Sequence, residues 1–157
     1  MALGDMFLKI ETQRQGAIKG EALDQKHKSE IDVVSWSWGM RAQTSMAGAG
    51  DGSKATLDEI EIVKRVDSAS TGLMAALRNN DGIKLATLTV RKAGGEPFEY
   101  FKISVQKGRI TGLSLSSSGE DLFETMTLAF QSISVEYTPQ GADGLSRGGM
   151  LFETEIT

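Results

Sequence analysis

The sequence predicts an all-β protein, mainly antiparallel, built as a curled barrel or sandwich with one short helix and a long extended loop. Several segments alternate apolar and polar residues with the period of two that strands have. Only one stretch has the apolar spacing of a helix. The 18 glycines occur in a few clusters and prolines number only 2, so the glycines mark turns between elements. A length of 157 residues fits a single domain over 1–157.

The first strands lie on either side of a charged loop. Alternation of apolar and polar residues predicts a strand over 5–12. Residues 19–30 are rich in charge and predict a solvated loop or short extended segment. Residues 31–38 are largely β-branched and aromatic, and this composition predicts a second strand. Both strands are short enough to belong to a barrel wall.

Three large side chains are expected on one face of the second strand. A period of two places Val34, Trp36 and Trp38 together. Tryptophans on a strand can form a platform for a sugar or a base, but they more often belong to a core. The sequence therefore favours core packing and leaves the binding role open.

The middle of the chain combines a long loop, a strand and the helix. Residues 39–55 have four glycines and no periodicity, which predicts a long loop of the kind that often has a function. Residues 56–66 regain strand character. An apolar stripe at i, i+3 and i+4 predicts a helix over 68–80, with Ser68 or Ser70 as its cap.

The second half predicts further strands and one bend. Within 123–138 the apolar phase shifts near 131–132, and such a slip indicates a bulge or bend in the strand. Bends of this kind let a sheet curl on itself. The remaining predicted strands are 83–92, 98–106, 110–115 and 151–156, the first two forming a hairpin around 93–96.

The composition excludes several classes of function. A net charge of −4 does not favour a nucleic-acid backbone or an anionic membrane surface. The absence of cysteine excludes disulfides, thiol catalysis and cysteine-based metal sites. The start lacks the basic and apolar regions of a secretory signal peptide, and no apolar run has the roughly 20 residues that span a bilayer. We expect no membrane insertion and no nucleic-acid partner.

The sequence contains no complete catalytic motif. His27 is the single histidine, and a surface or loop-anchoring role is expected for it rather than zinc binding or a catalytic triad. The glycine-rich segment 47–54 does not meet the phosphate-loop pattern, because Ser53 separates Gly52 from Lys54. Dispersed carboxylates leave a glycosidase pair open, since its members meet only in space. We expect no catalytic residue, no cofactor and no metal.

An ordered set of segments resembles the Hcp (haemolysin-coregulated protein) family. The likeness covers nearly the whole chain in order, and the set is more specific than any one piece. The family often has a proline at the helix entrance, where this chain has Ser70 or Thr71. The segments are 5–10 (DMFLKI), 19–22 (KGEA), 30–39 (EIDVVSWSWG), 64–71 (KRVDSAST), 88–95 (LTVRKAGG), 119–121 (GED) and 128–140 (LAFQSISVEYTPQ).

The resemblance implies a non-enzymatic tube protein of a type VI secretion system. Members of the family form homo-hexameric rings that stack into a tube inside a contractile sheath. The tube and its spike are driven out of the bacterium into a target cell, with effector cargo carried in the ring lumen, in virulence and bacterial competition. The protein is then expected in the cytoplasm before firing and outside the cell afterwards, secreted without a signal peptide.

The resemblance also suggests two sets of site residues. The loop 39–55 corresponds to an extended loop that reaches toward a neighbouring ring. Ser37 and Ser117 are candidates for the lumen, where a channel for varied cargo should be polar and small. The ring-stacking candidates are Gly39, Met40, Arg41, Thr44, Met46, Gly48, Gly50 and Gly52.

Three other functions remain open from the sequence. A monomeric ligand- or carbohydrate-binding β-barrel would use Trp36 and Trp38 on an exposed face. A hydrolase would need a cleft with two converging carboxylates. A phage-tail-tube-like protein would share the ring architecture and differ only in the apparatus that it serves.

Overall fold

The computed structural model describes residues 5–42, 55–92, 98–139 and 148–156, and these contain one helix and a series of antiparallel strands. The elements are β1 (Met6–Thr12), β2 (Gly16–Ile18), β3 (Ile31–Ser37), β4 (Met40–Arg41), β5 (Thr56–Leu57), β6 (Ile60–Arg65), α1 (Ser70–Arg78), β7 (Ile83–Lys92), β8 (Phe98–Ser118), β9 (Asp121–Ala129), β10 (Ser132–Tyr137) and β11 (Met150–Glu155). The prediction of a mainly antiparallel all-β fold with one short helix is confirmed.

The strands close into a barrel. The hydrogen-bonded order is β11-β10-β8-β7-β1-β3-β6-β9, and β9 pairs back to β8. Six strands therefore form the closed wall, β1, β3, β6, β9, β8 and β7. β10 and β11 extend the sheet past the wall, and β2 adds to β1. The expected curled barrel is confirmed.

A single long strand supplies the closure. β8 pairs with β7 and β10 over its first part and with β9 over its second part. The two parts meet at Lys107, with φ of 52°, and at Gly108, where a Cβ would lie 2.6 Å from the carbonyl oxygen of Ala129. The prediction of two separate strands over 98–106 and 110–115 is wrong, because the chain bends at this glycine without leaving the ladder.

Two other strand predictions need correction. A bulge between Val33 and Ser35 displaces Val34, whose side chain is 39% exposed. Trp36 instead pairs with the buried Ile62, so Val34 does not share its face. The strand predicted over 56–66 is divided into β5 and β6 by Asp58 and Glu59. The bend predicted near 131–132 is confirmed by the break between β9 and β10.

The inward side chains of the wall form the core, and α1 packs on it. Leu73 and Ala76 of α1 are buried, as the apolar stripe predicts. Full burial of one large apolar side chain contributes about 1.5–3 kcal/mol. The fully buried apolar side chains include Leu8, Ile10, Ile31, Ile62, Leu73, Ile83, Ile103, Val105, Met126 and Leu128.

The start of α1 differs from the prediction. The helix begins at Ser70, and its N-cap, Ala69, makes no side-chain capping bond. Neither Ser68 nor Ser70 caps it; the Oδ1 atom of Asp67 accepts the backbone N–H of Ala69 at 2.9 Å instead. The Ser70 hydroxyl donates to Glu124 Oε1 at 2.8 Å in the interior. Buried polar groups need such partners, so tertiary contact overrides the local capping preference.

A buried ion pair ties three elements together. Lys64 on β6 and Glu124 on β9 are paired across the sheet and both are fully buried. The Lys64 Nζ atom lies 2.5 Å from Glu124 Oε1 and 2.9 Å from Asp67 Oδ1. Because Ser70 bonds the same carboxylate oxygen, the pair connects β6 and β9 to the first turn of α1.

The buried pair predicts a large effect of a single substitution. Lys64→Met should lower the free energy of unfolding by about 3–5 kcal/mol, because the Glu124 carboxylate is left buried without its counter-charge. Urea denaturation measures the change. The matched control Lys84→Met removes an exposed lysine of β7, and it should shift the free energy by only about 0.5 kcal/mol. Equal unfolding midpoints for the two variants would contradict the assigned role of Lys64.

Candidate assembly surfaces

An exposed apolar strand lies at the edge of the sheet. Among the described strands, β11 pairs with β10 alone, so its outer backbone groups have no ladder partner there. Met150, Leu151 and Phe152 are 65%, 58% and 43% exposed, and Ile156 follows at 50%. An apolar edge strand is a template for association with another chain unless something covers it.

A groove separates β11 from the base of the long loop. The two-residue strands β4 and β5 pair Met40 with Leu57 and Arg41 with Thr56. The groove beside this ladder has a volume of about 470 Å³. Its wall is mainly apolar, with polar atoms from Thr154 and Glu155. The lining residues are Met40, Ala55, Leu57, Phe152, Thr154, Glu155 and Ile156.

The base of the loop is held by specific contacts. The Trp38 indole N–H donates to the carbonyl oxygen of Asp58 at 2.9 Å, and the Asp58 N–H donates to Gly39 at 2.9 Å. Arg41 forms an exposed ion pair with the Asp58 carboxylate at 3.2 Å. Three ring-stacking candidates, Gly39, Met40 and Arg41, therefore lie on this anchored base. The other candidates, Thr44, Met46, Gly48, Gly50 and Gly52, lie outside the described residues.

The two lumen candidates do not come together. Ser37 pairs with Glu61, Glu61 with Thr127, and Thr127 with Gly112, so these residues share the outward face of the wall. Ser117 is five residues beyond Gly112 on the regular part of the ladder, which places it on the opposite face. Both serines are exposed. A lumen position for each stays a prediction.

The β8–β9 hairpin projects past the barrel. The last β6 partner of β9 is Phe123, which pairs with Arg65. Beyond it the ladder joins β8 and β9 alone, with one further hydrogen bond from the Val66 N–H to the Leu122 carbonyl oxygen at 3.0 Å. Leu115 and Leu122 are 54% and 56% exposed there. They are a second exposed apolar surface that the sequence analysis did not single out.

A row of polar residues, three of them small, crosses the sheet on its outward face. Residues directly paired across neighbouring strands share a face, and the registers align five positions from β1 to β11. The face beside this row contains a shallow cavity of about 300 Å³. The aligned residues are Lys9, Thr87, Ser104, Ser134 and Glu153. From the sequence alone, this polar row could have been found only from the serines that recur in β8 and β10.

The loop between β2 and β3 is anchored through His27. Its ring stacks on Phe7 with 4.6 Å between centroids and 9° between planes. The Nδ1 atom lies 3.0 Å from Glu30 Oε1 and the Nε2 atom lies 2.7 Å from Glu99 Oε2. The loop-anchoring role expected for this histidine is therefore confirmed, although the residue is buried.

Arg91 of β7 provides the second anchor of this loop. Its guanidinium covers the ring of Phe7 at 4.9 Å and bonds both carboxylate oxygens of Asp24, with 2.9 Å from Nη1 to Oδ2. The hydrogen bonds from Arg91 are the main cause that lowers the pKa of Asp24 from 3.8 to about 2. The same contact raises the pKa of Arg91. The loop is thus fixed on β1 and β7.

The tryptophans are packed and do not form an open platform. Trp36 stacks on Phe101 at 5.5 Å, and both tryptophans pack against the core. Both tryptophans are half-buried at the margin of the core, so the core packing favoured by the sequence is found only in part. No group of three or more His, Cys, Asp or Glu within the described ranges could hold a metal ion. The one helix of those ranges is too short to cross a membrane.

Known proteins share this architecture. A family model described as "Type VI secretion system effector, Hcp" matches residues 7–137. "Protein hcp1" of Pseudomonas aeruginosa is 41% identical over 150 residues, covering 92% of this chain and 90% of the relative. The crystal structure of a type VI secretion system effector from Yersinia pestis matches with a TM-score of 0.78 and 28% identity. The match covers 97% of this chain and 100% of that one. The crystal structure of Hcp1 from Salmonella typhimurium matches with a TM-score of 0.77 and 28% identity, and the match covers 97% of this chain and 95% of that one.

The Asp24–Arg91 anchor predicts an acid-dependent stability. A carboxylate whose pKa is lowered by folding stabilises the fold above its unfolded value of 3.8, and this contribution is lost as the pH falls toward 2. Asp24→Asn should therefore be less stable than wild type at neutral pH, with a difference that shrinks between pH 4 and pH 2. Denaturation monitored by circular dichroism at each pH measures the difference in the free energy of unfolding between the variant and wild type. The control Asp121→Asn removes an exposed hairpin carboxylate, and an equal response of both variants would contradict the prediction.

Proposed function

Since the chain belongs to the Hcp family of type VI secretion proteins, we propose that it is a structural subunit of the secretion tube, folded as one domain over 1–157. Copies form hexameric rings, the rings stack into a tube, and the tube carries effectors. The partners are other copies, the sheath and spike proteins, and effector cargo. The protein resides in the cytoplasm before firing and reaches the target cell through the apparatus, with no catalytic step, no cofactor and no insertion into a membrane.

The observation that carries this proposal is the exposed apolar edge strand β11. Burying apolar surface in association is favourable in proportion to the area removed from water. A head-to-tail contact between unlike surfaces closes into a ring when its rotation per subunit divides a full turn. Closure into a ring covers such an edge on every copy at once.

Stacking is assigned to the loop 39–55. The anchored base at Gly39, Met40 and Arg41 supports this role, because it fixes where the loop leaves the barrel. A fixed base limits the directions in which the loop can reach a neighbouring ring. For the lumen we retain Ser37 and Ser117, whose exposed hydroxyl groups suit a channel for varied cargo.

The rival functions have less support. A carbohydrate-binding barrel needs tryptophan faces that are open to solvent, whereas Trp36 is covered by Phe101 and Trp38 bonds the backbone of Asp58. A phage-tail-tube-like role would use the same rings. The family match concerns type VI secretion, which favours the tube of that apparatus.

The solution mass tests the ring. Size exclusion coupled to light scattering should give about six times the chain mass of 16.9 kDa, because each copy covers the apolar edge of the next. The measurement is repeated over a wide range of protein concentration. A mass of one chain at every concentration would contradict the proposal and direct attention to ligand screening.

A loop replacement tests stacking separately from ring formation. Arg41 pairs with Thr56, so an Asn-Gly turn in place of 42–55 closes a two-residue hairpin on the existing ladder. We expect this variant to keep the mass of six subunits and to lose tubes that electron microscopy detects for wild type at high concentration. A control with 42–55 replaced by an equally long Gly-Ser segment separates loop length from loop sequence. Tubes formed by the hairpin variant would contradict the assignment.

A further inference from the structure

One exposed leucine has a fixed position on the anchored loop. Leu23 is 87% exposed, the largest exposure of any large apolar side chain in the described part of the chain. Its neighbours are held on both sides, since Ala22 is buried and Asp24 is bonded by Arg91. The backbone of Ala22 also exchanges hydrogen bonds with Ser29 and Glu30. An apolar side chain held rigidly in solvent is pre-organised for contact and loses little entropy on docking.

The charges around Leu23 are basic on the exposed side. The loop carboxylates Asp24 and Glu30 are already engaged by Arg91 and His27. Another carboxylate, Glu21, accepts the backbone N–H of Ser68 at 2.6 Å. The loop therefore presents a leucine together with three exposed lysines, Lys19, Lys26 and Lys28, and one exposed carboxylate, Glu21.

The flap formed by β10 and β11 has the opposite charge. Across the described residues 132–139 and 148–156 there are three glutamates and no lysine or arginine. The three, Glu136, Glu153 and Glu155, are all exposed. Glu155 also lines the groove of about 470 Å³ and forms an exposed ion pair with Lys107 of β8 at 3.2 Å. The flap thus offers an apolar groove beside an acidic strand.

Leu23 and the groove lie on different elements of the chain. β7 and β1, which anchor the loop, stand three and four places from β11 in the sheet. No residue of the loop 19–30 is among those that line the groove. The exposed Leu23 side chain, which we call the knob, and the groove therefore belong to separate parts of the surface. A head-to-tail contact between copies needs this arrangement.

We infer that the joint between adjacent copies in the ring is formed by Leu23 of one copy docked in the groove beside β11 of the next. The lysines of the loop face the glutamates of β10 and β11 across this joint. Complementary charge at the rim sets the orientation and speeds the encounter, while the leucine supplies the apolar anchor. This inference rests on the ring proposed above and specifies which surfaces join.

Two variants test the joint by light scattering. Leu23→Ser removes the knob and Phe152→Ser removes part of the groove; each should shift the mass from six chains toward one. Both residues are exposed, so circular dichroism melting of the separated chains should stay close to that of wild type. The matched control Gln25→Ser changes an exposed residue of the same loop and should keep the ring. Rings retained by either variant, or lost by the control, would overturn the inference.

Mixing the two variants tests the pairing itself. A Leu23→Ser copy keeps an intact groove and a Phe152→Ser copy keeps an intact leucine, so one joint remains possible between them. Because one joint is weaker than a closed ring, the mixture is measured at high protein concentration, where equal amounts should give pairs of one copy each, with twice the chain mass, and no larger ring. A mixture that stays monomeric would overturn the inference. A wild-type protein that is itself monomeric would instead remove the ring proposal, so the two failures are distinguishable.

A cross-link gives an independent reading of contact. The chain contains no cysteine, so a double variant with Gln25→Cys in the loop and Thr154→Cys in the groove keeps Leu23 and Phe152 and has one thiol on each side of the joint. Mild oxidation should give a ladder of covalent multimers up to six chains on a non-reducing gel. Each single-cysteine variant should stop at two chains or fewer. A double variant without a ladder, in a sample whose mass shows rings, would overturn the joint while the ring stands.

Discussion

The closed barrel depends on one bend in one strand. At Gly108 the backbone of β8 lies so close to the end of β9 that a Cβ atom on residue 108 would be 2.6 Å from the Ala129 carbonyl oxygen. The preceding residue, Lys107, adopts a left-handed conformation that a lysine rarely occupies, and the surrounding pairing over-determines it. Because β8 keeps its ladder through this point, it pairs with β7 and β10 before the bend and with β9 after it. A bulkier residue at 108 would have to separate β8 from the end of β9, and the wall would open.

The local pattern of the chain predicted most strands, because the period of two is a property of neighbouring residues. It also located the bend near 131–132, where the apolar phase changes within a few positions. It failed where the cause lies across the sheet. The bulge at Val34 is visible only in the register of β3 against β6. Ser70 was expected to cap a helix and instead bonds Glu124, fifty-four residues away in sequence, a partner that no local preference reveals.

The candidate surfaces were predictable to different degrees. The single histidine in a charged segment suggested an anchor for the loop. In the structure its ring stacks on Phe7 and its nitrogen atoms contact Glu30 and Glu99. The sequence marked the long loop by its glycines but gave no sign of the two-residue ladder at its base. Leu23 had no signal either, because a lone leucine in a polar segment is ordinary. Its significance comes from the anchors on either side, which are contacts between distant parts of the chain.

The modest size of each exposed apolar surface is compatible with assembly because a ring multiplies its joints. Each copy in a closed ring makes two contacts, so removing one copy breaks two joints, and the last joint closes within one assembly at high effective concentration. A joint that is weak between two free copies can therefore hold a ring. Weak single joints also leave little apolar area exposed on a free chain, and the net charge of −4 keeps free copies apart. In the joint proposed above, the lysines of the loop and the glutamates of the flap would decide which surfaces meet, since like charges repel and unlike charges attract.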